Sequence, residues 1–143
     1  MANRTIKAVL IAVDGSPHSL RALKYVASRA RTDEQMRVCI LNVQSPLPQS
    51  FFVHAALVKE YYGARSAAAL KGARAFAARN RLDCETLVRV GDPPQTIVEV
   101  AKAKHCVEIV MGTRGLGSFK GLILGSVVAK VIHFSRIPVT VVP

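Results

Sequence analysis

The sequence predicts an α/β protein with a parallel sheet covered by helices on both faces, and three observations predict it. Short runs of apolar residues alternate strictly with longer runs of helical period, and that alternation builds right-handed crossovers onto one parallel sheet. The short runs are apolar throughout rather than at every second residue, as expected of strands buried on both faces. Half of the 143 residues are apolar, enough for the core of a single layered domain spanning residues 1–143.

Ala8 to Val13 is the first such run. Ser16 and Pro17 follow as an N-cap and a first-turn proline, with Leu20, Leu23 and Ala27 as the apolar stripe of a first helix. Val38 to Val43 reads as the second strand, and the two prolines between Ser45 and Ser50 break structure after it. From about Ala55 to Asn80 a long helix carries Val58, Tyr62, Ala69, Ala73, Phe76 and Ala77 at helical spacings. Thr86 to Val90 is a third strand. Asp92, Pro93, Pro94 and Gln95 combine a capping residue, a first-turn proline and a reach-back glutamine, and open a helix running to about Lys104. Glu108 to Met111 is a fourth strand and Val139 to Val142 a fifth. Between them Ser126 is expected to cap a helix whose apolar positions are Val127, Val128, Val131 and Ile132.

Composition excludes several classes. No stretch approaches the roughly 18 apolar residues of a membrane span, and the run ending at Asp14 is too short for a signal-peptide core. A cytoplasmic protein with no membrane partner is expected. Cys39, Cys84 and Cys106 are too few and too scattered for a disulfide framework or a metal-ligand set, so buried free thiols are expected. A net charge of +11 would suit a nucleic-acid binder. The cations are dispersed, however, with no block of like charge and no interleaved aromatics, which argues against nucleic acid. After Glu108 no acidic side chain occurs, while Arg114, Lys120, Lys130 and Arg136 do. The field over this last segment favours a polyanion.

That segment also holds the most informative pattern of the chain. Gly112-Thr113-Arg114-Gly115 follows the fourth strand, and nine residues later Gly125-Ser126 opens the last helix. Backbone without Cβ atoms on one side and free helix-terminal amides on the other make a cradle for phosphate. A Walker-type loop would need Lys directly before the hydroxyl residue, where Gly125 stands, and the dinucleotide fingerprint fails at Lys120. The spacing G-x2-G-x9-G-S, its setting from Ile109 to Val127, the closing Ile137 to Val142 and the opening Ala8 to Ser16 together resemble the universal stress protein family over essentially the whole chain. One departure is Val107, where relatives often carry an acid.

The resemblance implies a Rossmann-like sheet of order 3-2-1-4-5, and a homodimer paired through the fifth strand, which would also remove an exposed apolar edge. It implies an ATP-binding protein of the stress response that senses or regulates. The ligand would be an adenine nucleotide, ATP with Mg2+, at the switch point between strands 1 and 4, where open α/β sheets bind ligands. Ala12, Val13 and Asp14 would then border adenine and ribose, Val43 would wall the base, and Met111 and Gly112 would lie near base and ribose. Gly115, Gly125, Ser126 and Val127 would hold the phosphates. Other roles stay open from the residues themselves. Asp14 also suits a helix cap or a turn at Gly15, Met111 suits the core, and Arg114 and Lys120 either reach phosphate or line the loop. His18, His54, His105 and His133 form no cluster and receive no role, and the segment from Ser45 to Glu60, with Phe51 and Phe52, is not placed. No side chain is an evident catalytic base. The alternatives are therefore a slow ATPase or autophosphorylating enzyme, and a basic scaffold that binds nucleic acid or an acidic partner without nucleotide.

Overall fold

A computed structural model describes residues 5–48, 50, 54–116, 121 and 123–143. Phe51, Phe52, Lys120 and the middle of the glycine-rich segment lie outside the described residues. Among the described residues nine elements alternate: β1 (Lys7–Ala12), α1 (Pro17–Ala30), β2 (Met36–Gln44), α2 (Ala55–Arg79), β3 (Cys84–Val90), α3 (Pro93–Ala103), β4 (Cys106–Gly112), α4 (Ser126–Phe134) and β5 (Val139–Val142). All strand pairs are parallel and the order is β3-β2-β1-β4-β5, as expected.

The sheet divides the core into two layers because successive side chains of a strand point to opposite faces. Val9 and Ile11 of the first strand, with Val13 just after it, meet Leu23 and Val26 of α1 and Leu70 and Ala73 of α2. Leu10 faces the other way, toward Ile97 and Ala101 of α3 and Val128 and Val131 of α4. Leu10, Ile11 and Leu41 are wholly buried; each such side chain contributes about 1.5–3 kcal/mol. Placing β1 at the centre of the sheet, with β2 and β4 on its two sides, creates the switch point on which the site depends.

Element boundaries differ from the sequence reading mainly at strand starts. β3 begins two residues before Thr86, and β4 two before Glu108. The first turn of α4 is a correction: Gly125 is the N-cap, and Ser126, the first helical residue, makes no side-chain cap. Asp92 does occupy the N-cap of α3, yet its carboxylate makes no capping bond either. Ser16 caps α1 as expected, accepting from the Ser19 amide at 3.1 Å. Cys39 and Cys106 are buried free thiols, while Cys84, on the edge strand, is only half buried. Burial is the main cause that pushes the Cys39 thiol up to about 11.

The end of α2 yields a stability prediction. Arg81 adopts φ 50°, in the left-handed region. Its amide bonds to the Ala78 carbonyl and that of Leu82 to the Ala77 carbonyl, which is the Schellman pattern with Arg81 at the position that favours glycine. Arg81→Gly is expected to stabilise the fold by about 0.5–1 kcal/mol, seen as a higher urea midpoint at unchanged slope.

Candidate functional site

At the carboxyl ends of β1 and β4 the chain opens a cavity of about 300 Å3. All ten residues singled out from the sequence line it: Ala12, Val13, Asp14, Val43, Met111, Gly112, Gly115, Gly125, Ser126 and Val127. Residues from opposite ends of the chain, Ala12 and Val127, thus share one cavity.

The turn after β1 is held by a set of short polar bonds. Val13 continues the sheet by donating to the Leu41 carbonyl at 2.8 Å. Asp14 then uses both carboxylate oxygens. Oδ1 accepts the Ser16 amide at 2.9 Å, and Oδ2 accepts the Leu116 amide at 3.0 Å from the loop after β4. Asp14 is therefore a turn stabiliser and also a bridge across the cavity. Gly15, at φ 88°, packs its backbone against Ala69 of α2.

The glycines of the β4 loop have protein neighbours. A Cβ on Gly112 would stand 2.6–2.7 Å from the backbone and Cβ of His18, in the first turn of α1. One on Gly115 would stand against Asp14 Oδ2. Thr113 donates to the Val142 carbonyl at 3.0 Å, and Gly125 donates to the Thr113 carbonyl at 2.7 Å. These two bonds draw the start of α4 beside the end of β4. Among the described residues no side chain caps α4, and its first turn contains no acid. The first amides of a helix have no intrahelical partner, and here the first three residues of the helix, Ser126, Val127 and Val128, line the cavity.

Electrostatics favour an anion. Asp14 is the single carboxylate among the described lining residues, and both its oxygens are engaged. Arg114 lines the cavity. Beside it His18 Nδ1 accepts from Arg21 Nη2 at 2.6 Å, while Arg21 Nε donates to the Pro143 carbonyl at 3.1 Å. Partial desolvation, then Arg21 and Arg114, hold the His18 imidazole below its usual value; Asp14 pulls the other way. No group of three metal-ligating side chains occurs among the described residues. Among the described lining residues a divalent cation would find one carboxylate, Asp14.

Sequence reasoning missed several lining residues, among them Ser45, Pro93, Ile97 and Leu116. Ser45 and Pro93 just follow β2 and β3, and the rule that ligands gather at strand carboxyl ends could have found them. It also missed a buried polar chain behind the site. Asn42 Nδ2 donates to the Val13 carbonyl at 2.7 Å, Gln44 Nε2 to Asn42 Oδ1 at 2.7 Å, and Arg65 Nε to Gln44 Oε1 at 3.3 Å. This chain fixes the backbone directly before Asp14.

Fold and site together define a doubly wound α/β domain with an anion-facing cavity at its switch point. The family model of the universal stress protein family matches residues 5–143, and the chain belongs to that family. It is similar to the universal stress protein YxiE of Bacillus subtilis, at 31% identity over 144 residues, covering 94% of this chain and 97% of the relative. Among solved structures it resembles the hypothetical protein MJ0577, with a TM-score of 0.80, 25% identity and 96% of each chain covered. It also resembles a universal stress protein in complex with cAMP, with a TM-score of 0.70, 28% identity, and 96% of this chain and 97% of the other covered.

Proposed function

We propose that this protein binds an adenine nucleotide, ATP with Mg2+, at the switch-point cavity and serves as a stress-response sensor or regulator. The observation that carries the reading is the uncapped N-terminus of α4 facing a cavity whose only described carboxylate is already hydrogen-bonded. Backbone amides and the helix dipole at such a terminus favour phosphate. The apolar wall of Val43, Leu41, Ile97 and Met111 suits a base. The similar protein solved with cAMP supports an adenine ligand.

In this reading Ala12, Val13 and Val43 border the base, and Asp14, Met111 and Gly112 lie toward base and ribose. Gly115, Gly125, Ser126 and Val127 hold phosphate. Bound Mg2+ would offset phosphate charge, with Asp14 nearest to hand. Each Asp14 oxygen keeps a lone pair beside its amide partner, and a ligand that turns Oδ2 toward metal or sugar would draw it from the Leu116 amide. That exchange gives the site a means of signalling: ligand frees the β4 loop from Asp14, and the loop surface then differs between the two states. No helix among the described residues is long and apolar enough to cross a membrane, and the reading places the protein in the cytoplasm. β5 is an edge strand of half-buried residues, with exposed Val107 and Phe134 on neighbouring elements; a homodimer through β5 would cover it.

Calorimetric titration with Mg-ATP tests the reading. The parent, stripped of any co-purified nucleotide, is expected to bind. Gly125→Val, which sets a branched side chain at the buried mouth of α4, is expected to lower affinity at least about tenfold. Absence of binding by the folded parent would overturn the proposal.

A further inference from the structure

Val13, Val43 and Ser45 wall the cavity where β1 and β2 end, and little backbone joins the two strands there. Among the described residues their ladder closes with Ala12 beside Leu41, and one further bond joins the Val13 amide to the Leu41 carbonyl. Side chains take over beyond it. Successive residues of β2 point to opposite faces of the sheet. Leu41 and Val43 belong to the cavity side, while Asn42 and Gln44 turn toward α2. There Asn42 holds the Val13 carbonyl, Gln44 holds Asn42, and Arg65 of α2 holds Gln44. The same turn of α2 grips the chain again three residues on, where the Tyr62 hydroxyl accepts from the Leu47 amide at 2.7 Å. Ser45, between the two grips, lines the cavity. Arg65 is itself steadied by Tyr61, its guanidinium carbon 5.4 Å from the ring centre.

Resting on the nucleotide reading, we infer that Arg65 is a positioning residue of the site: from the exposed side of α2 it fixes, through Gln44 and Asn42, the spacing of the β1 and β2 ends, and with it the affinity of the cavity for the base. Arg65 lies outside the cavity and touches no ligand. Its effect passes through the sheet, from the α2 face to the backbone of Val13 and Val43.

The hydrogen bonds of this chain run in one direction. A guanidinium only donates and a backbone carbonyl only accepts. With Arg65 at one end and Val13 at the other, Gln44 turns Oε1 to Arg65 and Nε2 to Asn42. Asn42 in turn gives Oδ1 to Gln44 and Nδ2 to Val13. Without the donor at Arg65 neither amide is bound to that orientation. An Asn42 amide turned over sets its oxygen against the Val13 carbonyl and drives the strand ends apart. Asn42 and Gln44 are 1% and 9% exposed, so solvent replaces a lost partner poorly.

Calorimetry with Mg-ATP, and with inorganic tripolyphosphate as a competitor that has no base, tests this. Arg65→Met is expected to lower ATP affinity about five- to tenfold, the scale of one buried hydrogen bond, and to leave tripolyphosphate within about twofold. Arg74→Met, which removes the same charge from another exposed position of α2, should change neither. Gln44→Glu is the second variant. It keeps a partner for Arg65 and so preserves the fold, but its carboxylate only accepts, which turns Asn42 over and lowers ATP affinity as well. In both variants the amide resonances of Asp14 and Ser45 should move, a signature that lost packing on α2 alone would not give. ATP affinity unchanged in both variants, or an equal loss of ATP and tripolyphosphate in Arg65→Met, overturns the positioning role and leaves the nucleotide reading standing. Absence of ATP binding by the folded parent overturns both.

Discussion

Gly112→Ala is expected to cost the fold about 1–3 kcal/mol, and Gly115→Ala less than about 1 kcal/mol, although both glycines belong to one motif. The added methyl at Gly112 would lie 2.6 Å from the His18 carbonyl carbon and 2.7 Å from its oxygen and Cβ. Those atoms belong to the first turn of α1, which is pinned by the Ser16 cap and by Leu23 and Val26 in the core. A rigid helix turn moves only by shearing its packed face, so overpacking here is expensive. At Gly115 the obstructing atom is Asp14 Oδ2, the far end of a side chain that can rotate away. The loss there is one exposed hydrogen bond to the Leu116 amide. Urea unfolding of the two variants checks the ranking; equal midpoints would mean that α1 is less firmly seated than its packing implies. The ligand readout should separate them differently. Gly115→Ala displaces Asp14 within the cavity and is expected to alter nucleotide affinity at nearly full stability.

The contrast shows what a sequence can and cannot reveal about a glycine motif. The spacing of Gly112, Gly115 and Gly125 was legible because it follows a strand and precedes a helix in a chain that alternates throughout. Why Gly112 and Gly115 lack a side chain was not legible, since the answers are His18 and Asp14, about a hundred residues away. Buried parallel strands gave a clear signal because Leu10, Leu41 and Ile109 must be apolar on both faces of the sheet. The start of β3 gave none, because Cys84 is only half buried and Glu85 is exposed. The N-cap of α4 was misassigned for a local reason. Ser is favoured at that position, but glycine is accepted there too, and the extended backbone of Gly125 takes the role. The shift by one residue leaves the amides of Ser126 and Val127 without a side-chain competitor.

Asn42 is the clearest case of a functional neighbour hidden by pattern. It interrupts an otherwise apolar strand and is 1% exposed, which without partners would cost several kcal/mol. Both polar atoms of its side chain have a partner, Nδ2 donating to the Val13 carbonyl and Oδ1 accepting from Gln44. A lone polar residue in a buried strand is itself a signal. It marks a place where the backbone needs holding, here the carbonyl beside Asp14.

The second large effect is expected on the opposite side of β4, at the ion pair of Arg29 and Glu108. Arg29 reaches from α1 with a two-pronged contact, Nη2 to Oε1 at 2.9 Å and Nη1 to Oε2 at 3.1 Å. Thr140 of β5 donates a short hydrogen bond to the same carboxylate. The Glu108 side chain is 14% exposed and that of Arg29 34%. Burial alone would raise the Glu108 carboxyl; the hydrogen bonds from Arg29 and Thr140 and the Arg29 charge outweigh it, and the net shift is downward. A carboxyl with a lowered folded value stabilises the fold above its unfolded value of about 4.3 and loses that contribution as pH falls through the folded value. Arg29→Met removes the compensation and strands the carboxylate. The expected loss at neutral pH is about 1–3 kcal/mol, below that of a fully buried pair because Arg29 is a third exposed.

The sign of the pH response should then reverse. With Arg29 gone, burial dominates and Glu108 titrates above about 4.3, so mild acid that neutralises it stabilises the variant relative to its own value at neutral pH. Arg29→Met combined with Glu108→Gln should recover much of the loss, since the amide still accepts from Thr140 without carrying charge. Thermal unfolding of the four proteins at about pH 7 and about pH 5 reads both effects. If Arg29→Met lost stability equally at both pH values, the guanidinium would be acting through its packing on Tyr25 rather than through Glu108. The outcome bears on assembly as well. Glu108 and Thr140 join β4 to β5, and β5 is the edge through which the proposed dimer would form. An ion pair that holds this strand against the sheet would hold the dimer surface in register, so Arg29→Met should weaken self-association together with stability, and the double variant should restore both.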